Sequence, residues 1–470
     1  MKYLSDIALQ GKQLKPTATI VRNRDGIIKI EREELLTASE TEEITLHARR
    51  MHAEEEKIRD RLPVTVTPIR PRRLDVETER DEFLQYSEDE GYAVVARVAG
   101  PAEIEHAKDL FWKFLEGDDR GRTSKRGKPS TWEVTDGWMG NPVTGMITGF
   151  GVGQAPFMWY LRLLPAVSEA FAAIWGVGPD DLLCSFDGAN VFRPWKYKPH
   201  WKTKGGWYHV DQNGNNYGKL ERCCVQGLVT LHKSDEQSGG LVVIPGSHKE
   251  FVGVSERNAH KPPRELTKDD DPCALLDFVN IAGGDPVISN GGSLVCAEAG
   301  DLIVWDSRTV HCNSPALAQC ESVEDDELLS PKITSKIEEH WDLIRMVGYI
   351  CMTPHFLGAT NDVLDKRWEA FVNNVTTSHW PHAFNGGTNG PYDMPPNDMA
   401  AIDDRQRRLI GANREPPSCL IEGGGKRNPS QLEGARLVEL AEEAEGKGDI
   451  TGAIRLYKRA YKLDPSLEFN

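Results

Sequence analysis

His209 and Asp211 stand one residue apart in Trp207-Tyr-His-Val-Asp-Gln212, and His311 follows one hundred residues after Asp211. Two imidazoles and one carboxylate can occupy one face of Fe(II), leaving the opposite coordination positions open for a cosubstrate and O2. The same ligand set also suits Zn(II), so a hydrolytic centre is chemically admissible on these residues alone. In an extended chain residues i and i+2 point the same way, so His209 and Asp211 reach one metal together if residues 207–213 form a strand running into a turn. A second strand must then deliver His311. The apolar, β-prone segment Gly300-Asp-Leu-Ile-Val-Trp-Asp306 ends just before it.

The elements around these residues are short strands. Cys224-Val-Gln-Gly-Leu-Val-Thr-Leu231 alternates as a strand, and Gly239-Gly-Leu-Val-Val-Ile-Pro-Gly-Ser-His248 is a second short strand that ends in a Pro-Gly turn. A run of short strands separated by turns predicts a small antiparallel barrel or jelly roll with the metal ligands at its mouth. Three segments, Trp207 to Gln212, Gly239 to His248 and Gly300 to His311, in this order resemble the phytanoyl-CoA dioxygenase family of Fe(II)- and 2-oxoglutarate-dependent oxygenases. The resemblance covers roughly residues 86–356. It implies a mainly β fold with flanking helices: a double-stranded β-helix (cupin-like jelly roll) core with helical additions at both ends. It also implies a metal site of His209, Asp211 and His311.

For such an oxygenase the distal carboxylate of 2-oxoglutarate needs a cation, and the planar guanidinium of Arg matches it two-toothed. In the resembled family this Arg follows the second His closely. Here Cys312-Asn-Ser-Pro-Ala-Leu-Ala-Gln319 holds no Arg, and a charged stretch from Glu321 to Glu339 precedes Arg345-Met-Val-Gly-Tyr-Ile-Cys-Met-Thr353, which reads as the next strand. Arg345 is therefore the expected partner of 2-oxoglutarate, with Arg308 as competitor. Asn313, Gln226 and Asn190 are further expected contacts, and each can equally be an interior amide bonded to backbone. The carboxylate of Asp211 sits where halogenating relatives carry a small residue, so the resemblance implies hydroxylation, desaturation or oxidative cyclisation instead. In each, 2-oxoglutarate and O2 give succinate and CO2 while an unactivated C-H bond is oxidised.

Composition sets limits on the class. The chain has 470 residues, 39% hydrophobic and 27% charged, enough to bury a large core with additions around it. The nine cysteines lack regular spacing, which predicts free thiols in a reducing, cytoplasmic setting, with one of Cys223 and Cys224 buried and the other not. A formal net charge of −16 opposes nonspecific binding to nucleic acid. No apolar run is long enough for a membrane span, and residues 1–10 are too polar for a secretory signal.

Along the chain, residues 1–73 read as a charged accessory arm with one helix opened by the capping box Ser39-Glu-Thr-Glu42. Residues 74–395 read as the oxygenase domain, 396–430 as a linker containing Gly423-Gly-Gly425, and 431–470 as a helical hairpin resembling one tetratricopeptide unit. Within the domain, Phe157 to Trp175 has apolar residues at helical spacing and predicts one core helix. Trp132 and Trp138 lie in a Gly-rich loop, where they either line a substrate entrance or pack for stability. Lys196, Lys198, Lys202 and Lys204 cluster just before His209, as guides for an anionic substrate or as a solvated loop. Thr376-Thr-Ser-His-Trp-Pro-His382 begins a loop-rich extension over the pocket whose His379 and His382 are structural or substrate-contacting. The competing reading is an adaptor that keeps the oxygenase scaffold and recruits a protein partner through its C-terminal hairpin.

Overall fold

The computed structural model describes residues 20–22, 28–30, 64–117, 123–214, 221–258, 279–318, 341–357, 359–383 and 402–412. Two compact units are separated at residue 63, and each is described by itself. In the first, β1 (Ile20–Arg22) and β2 (Ile28–Ile30) form an antiparallel pair. The helix expected from Ser39, the linker glycines, the charged stretch 321–339 and the C-terminal hairpin lie outside the described residues.

Two sheets build the second unit. Among the described residues the major sheet follows the order β4 (Arg73–Leu74), β5 (Tyr92–Val95), β14 (Leu302–Asp306), β10 (Val225–Thr230), β16 (Arg345–Pro354), β8 (Ala189–Phe192) and β6 (Met146–Ile147), with β7 (Leu182–Cys184) also on β16. The minor sheet runs β12 (Val279–Asn280), β9 (His209–Val210), β15 (His311–Ser314), β11 (Gly240–Val243), β13 (Gly292–Val295) and β3 (Val66–Ile69). Strands that neighbour in space are far apart in sequence. From β8 to β11 and again from β13 to β16 the chain changes sheet at every connection, which makes this the double-stranded β-helix that the sequence predicted.

Alternation along the central strands separates two faces. Val225, Val229, Leu302, Val304, Met346 and Ile350 point outward into a core shared with the helices. Leu228, Ile303 and Val347 point inward and meet Leu241 and Val243 of the minor sheet. The outer face is covered by α1 (Arg80–Glu90), α2 (Pro101–Glu116), α3 (Pro156–Arg162) and α4 (Pro165–Trp175), through buried residues such as Phe83, Phe111, Phe157 and Phe171. Each fully buried Phe contributes roughly 2–3 kcal/mol of transfer free energy. A shorter helix, α5 (Phe251–Asn258), follows β11, and α6 (Asn361–Val372) follows β16.

Three expectations are corrected and one open alternative is decided. The single helix from Phe157 to Trp175 is two helices bent by 54°, because Pro165 brings no N–H and forces Leu164 into the extended region. Among the described residues no single helix is long and apolar enough to cross a membrane, and this bent pair is apolar because it is core. The domain begins before residue 74, since β3 adds a parallel edge strand to β13. Part of the expected linker is also body: α7 (Asp404–Ile410) buries Leu409 and Ile410, and the Arg367 guanidinium donates to both of their carbonyls. Of the two readings of Trp132 and Trp138 packing holds, in the core: both are buried, Trp132 stacks on Trp138 and on Trp201, and the Arg193 guanidinium lies over the Trp138 and Trp201 rings.

Candidate metal and cosubstrate site

The minor sheet brings the three ligand candidates together. β9 and β15 are antiparallel, with His311 directly opposite His209, and both rings point into the space between the sheets with centroids 4.2 Å apart. Asp211 lies just past the end of β9, anchored by its N–H to the Ser307 carbonyl at 3.0 Å. Each imidazole is oriented by backbone: His209 Nδ1 donates to the Trp207 carbonyl and His311 Nδ1 to the Thr309 carbonyl, both at 2.9 Å. Donation to a carbonyl fixes the tautomer and leaves both Nε2 lone pairs for a metal. Those Nε2 atoms lie 3.7 Å (His209) and 3.2 Å (His311) from the Asp211 carboxylate, and the three ligand atoms fall within 4.8 Å of one another. Ligand bonds of about 2.1 Å meeting at right angles would set such atoms about 3 Å apart, so the set fits one face of an octahedral ion.

The charges suit a cation as well. Burial, and then the neighbouring His311, depress His209 to about 3, so its ring is neutral at ordinary pH. Burial works against the Asp211 carboxylate, but His209, His379 and His311 outweigh it and hold its pKa well below the usual range. Gln226 Nε2, from the inward face of β10, donates to Asp211 Oδ2 at 2.6 Å, and Trp207 stacks on His209 with planes 3° apart. Gln226 therefore orients the Asp211 carboxylate, a role the sequence had not suggested for it.

The second half of the site starts on β16, where Arg345, Val347 and Tyr349 alternate inward. Arg345 is 1% exposed. Its Nε donates to Asn190 Oδ1 at 3.2 Å, and its plane lies over Phe192 at 5.5 Å. Both Nη nitrogens are buried with no acceptor in hydrogen-bonding geometry. Burial lowers its pKa and the adjacent Tyr349 phenol raises it; Tyr349 in turn is raised by burial while Arg345 and Asn313 draw it down. Space for the guanidinium comes from Gly240, where a Cβ would lie 2.9 Å from Arg345 Nη1 on a backbone with φ of +157°. An unpaired cation inside a β-barrel fits a ligand carboxylate. Arg308, by contrast, is committed: Nε and Nη2 grip both oxygens of Asp306, at 2.9 and 2.8 Å.

Other expected residues are placed differently. Lys196 donates to Gln237, Lys198 to Glu133 and Lys202 to the Ala318 carbonyl, while Lys204 is exposed. His382 pairs with Thr353 Oγ1 at 3.2 Å. Cys224 is buried and Cys223 less so, as expected, and both are free thiols. Sequence reading missed Tyr349, Trp207 and Gly240. Tyr349 alone carried a signal, since it sits four residues after Arg345 on one strand and so on the same face.

A jelly roll holding a two-His, one-carboxylate face with a buried, unanswered arginine beside it defines the non-haem Fe(II)- and 2-oxoglutarate-dependent oxygenases. Residues 86–315 match the phytanoyl-CoA dioxygenase (PhyH) family, and the chain carries a domain of that family. It is 27% identical over 316 residues to Ava biosynthesis cluster protein O of Aspergillus versicolor, covering 64% of this chain and 85% of that protein. Among solved structures it is similar to the non-haem alpha ketoglutarate dependent carbocyclase SnoK from nogalamycin biosynthesis (15% identity, 60% of this chain and 88% of that one, TM-score 0.35). It is also similar to the GlcNAc Inducible Gene 2 protein of Candida albicans (13% identity, 82% of each chain, TM-score 0.42).

Proposed function

We propose that this chain oxidises an unactivated C-H bond of a small metabolite at the expense of 2-oxoglutarate, with hydroxylation the default outcome and oxidative cyclisation or desaturation the alternatives. His209, Asp211 and His311 hold the iron. When bound, iron and 2-oxoglutarate supply with O2 the oxidising power, and succinate and CO2 are released. The Arg345 guanidinium receives the distal carboxylate through its two free Nη donors, Asn190 steadies its Nε, and the Tyr349 hydroxyl and Asn313 amide stand beside it. Gln226 keeps the Asp211 carboxylate turned toward the metal. The observation that carries this reading is the pair of unanswered Arg345 donors in the interior that the triad also faces, since a buried cation without a partner costs stability unless a ligand completes it. A zinc hydrolase would leave that cation unexplained. Three of the four lysines that suggested an anionic substrate are engaged with Gln237, Glu133 and the Ala318 carbonyl, which removes support for that suggestion.

The test is succinate release by the purified full chain with Fe(II), O2, 2-oxoglutarate and a panel of small metabolites. Turnover is expected to disappear in His209→Ala while the melting temperature stays within a few degrees of wild type. Turnover that persists undiminished in that variant would refute the assignment.

A further inference from the structure

Arg345 leans on an amide that is itself held at both ends. Asn190 is fully buried on β8, where its Oδ1 accepts from Arg345 Nε at 3.2 Å and its Nδ2 donates to the Thr144 carbonyl at 2.9 Å. The two ends of a primary amide have nearly the same shape and opposite hydrogen-bonding character. With the Thr144 carbonyl in place the Asn190 oxygen faces the guanidinium; turned over, the amide would set its NH2 against a cation that can only donate, and its oxygen against a carbonyl. The Thr144 carbonyl is presented by a turn that a surface residue organises. Asn141 is exposed, and its Oδ1 accepts from the backbone N–H groups of Val143 at 2.8 Å and Thr144 at 3.1 Å. Its own carbonyl accepts from the Gly145 N–H at 2.7 Å, and its N–H donates to the Met146 carbonyl at 2.9 Å. Gly145 closes the turn with φ of +72°, so near β8 that a Cβ would lie 2.5 Å from the Val191 carbonyl oxygen and 2.6 Å from the Phe192 ring.

Resting on the reading that Arg345 receives the distal carboxylate of 2-oxoglutarate, we infer that Asn141 is a positioning residue for that cation. Its side-chain oxygen shapes the turn that offers the Thr144 carbonyl to Asn190, and Asn190 in turn holds the guanidinium. A guanidinium gives its two-toothed match to a carboxylate in one plane only. The Nε bond to Asn190, with the Phe192 ring under the guanidinium, sets that plane while both Nη nitrogens stay open for the ligand. Without the Asn141 oxygen the Val143 and Thr144 N–H groups turn to solvent and the turn loses the bonds that define it. The Asn190 NH2 then has no fixed acceptor, and the guanidinium loses its lateral stop. The cost falls on one contact, because the keto acid end of 2-oxoglutarate goes to the metal and its distal carboxylate alone depends on Arg345.

Two keto acids separate this role from a general loosening of the fold: 2-oxoglutarate, and 2-oxobutyrate, which keeps the metal-chelating end and lacks the distal carboxylate. Each is titrated anaerobically into the Fe(II)-loaded full chain while the charge-transfer absorption is followed. In the wild type 2-oxoglutarate is expected to saturate at far lower concentration than 2-oxobutyrate. Asn141→Ala is expected to raise the 2-oxoglutarate midpoint about tenfold and to leave the 2-oxobutyrate midpoint within about twofold. Asn141→Asp, which retains the accepting oxygen, is expected to titrate within about twofold of wild type. Asn141→Ala combined with Asn190→Ala is expected to bind 2-oxoglutarate no more weakly than Asn190→Ala alone, since both substitutions break one chain of bonds. An Asn141→Ala variant that titrates 2-oxoglutarate like wild type, shifts both acids alike or adds its full effect to Asn190→Ala would overturn the inference, as would an Asn141→Asp variant as weak as Asn141→Ala. A wild type that binds the two acids equally well would instead contradict the assignment of Arg345 to the distal carboxylate, and one without the absorption would contradict the oxygenase reading itself.

Discussion

Arg308 and Arg345 are both guanidinium groups drawn into the protein close to strands that carry the site, and they hold opposite things. Arg308 sits in a closed network: its fork meets Asp306 in two contacts, and Arg222 Nε adds a third at 2.8 Å. Arg345 sits among Phe192, Asn190 and Gly240 with both Nη nitrogens unanswered. The first arrangement stabilises the loop that ends in His311. The second costs stability in the ligand-free protein, and such cost is tolerated where a ligand completes the pairing. A buried arginine is therefore assigned by its partners and not by its distance in sequence from the metal ligand.

Several perturbations sharpen that contrast. Asp306→Asn removes the counterion of two arginines and is expected to destabilise the fold by about 3 kcal/mol, measured by denaturant unfolding, while the dissociation constant for 2-oxoglutarate in the surviving folded protein stays within twofold. Arg345→Gln should do the reverse, weakening 2-oxoglutarate about a hundredfold by titration with little loss, or a slight gain, in melting temperature. Acid separates the two regions as well. Burial raises the Asp306 carboxyl but Arg308 and Arg222 pull it down to about 2, below its unfolded value near 3.9. Its stabilisation is thus complete above about pH 4 and is lost as pH falls toward 2, on the order of 2 kcal/mol, and the wild type should show a steeper fall there than Asp306→Asn. Gln226→Leu, which frees the metal carboxylate from its amide donor, should lower Fe(II) affinity about tenfold without changing acid stability.

The legible part of this molecule was whatever a strand carries on one face. His209 and Asp211 at i and i+2, and His311 after an apolar β-prone run, were readable because period-two geometry makes neighbours of them before any fold is known. Arg345 was readable from context, as the first residue of the strand after the charged stretch. What sequence did not show depends on pairings across the barrel. Gln226 is near Asp211 because β10 lies on the sheet opposite β9, and Gly240 makes room for Arg345 from the facing strand β11. Phe186 and Thr377 are joined by two hydrogen bonds across nearly two hundred residues. Trp132 and Trp138 stood in a loop without periodicity, so nothing local distinguished an entrance from a core. The break at Pro165 was legible in principle, but the helical spacing of Leu161, Leu164, Val167 and Phe171 continued through it and masked the bend.

The contrast between the two arginines is tested most directly by anaerobic titration of the Fe(II)-loaded full chain with 2-oxoglutarate, following the visible metal-to-ligand charge-transfer band. The band should saturate in the wild type, require about a hundredfold more 2-oxoglutarate in Arg345→Gln, and be absent in His209→Ala. A folded, iron-loaded wild type that develops no band, or an Arg345→Gln variant that titrates like wild type, would contradict it.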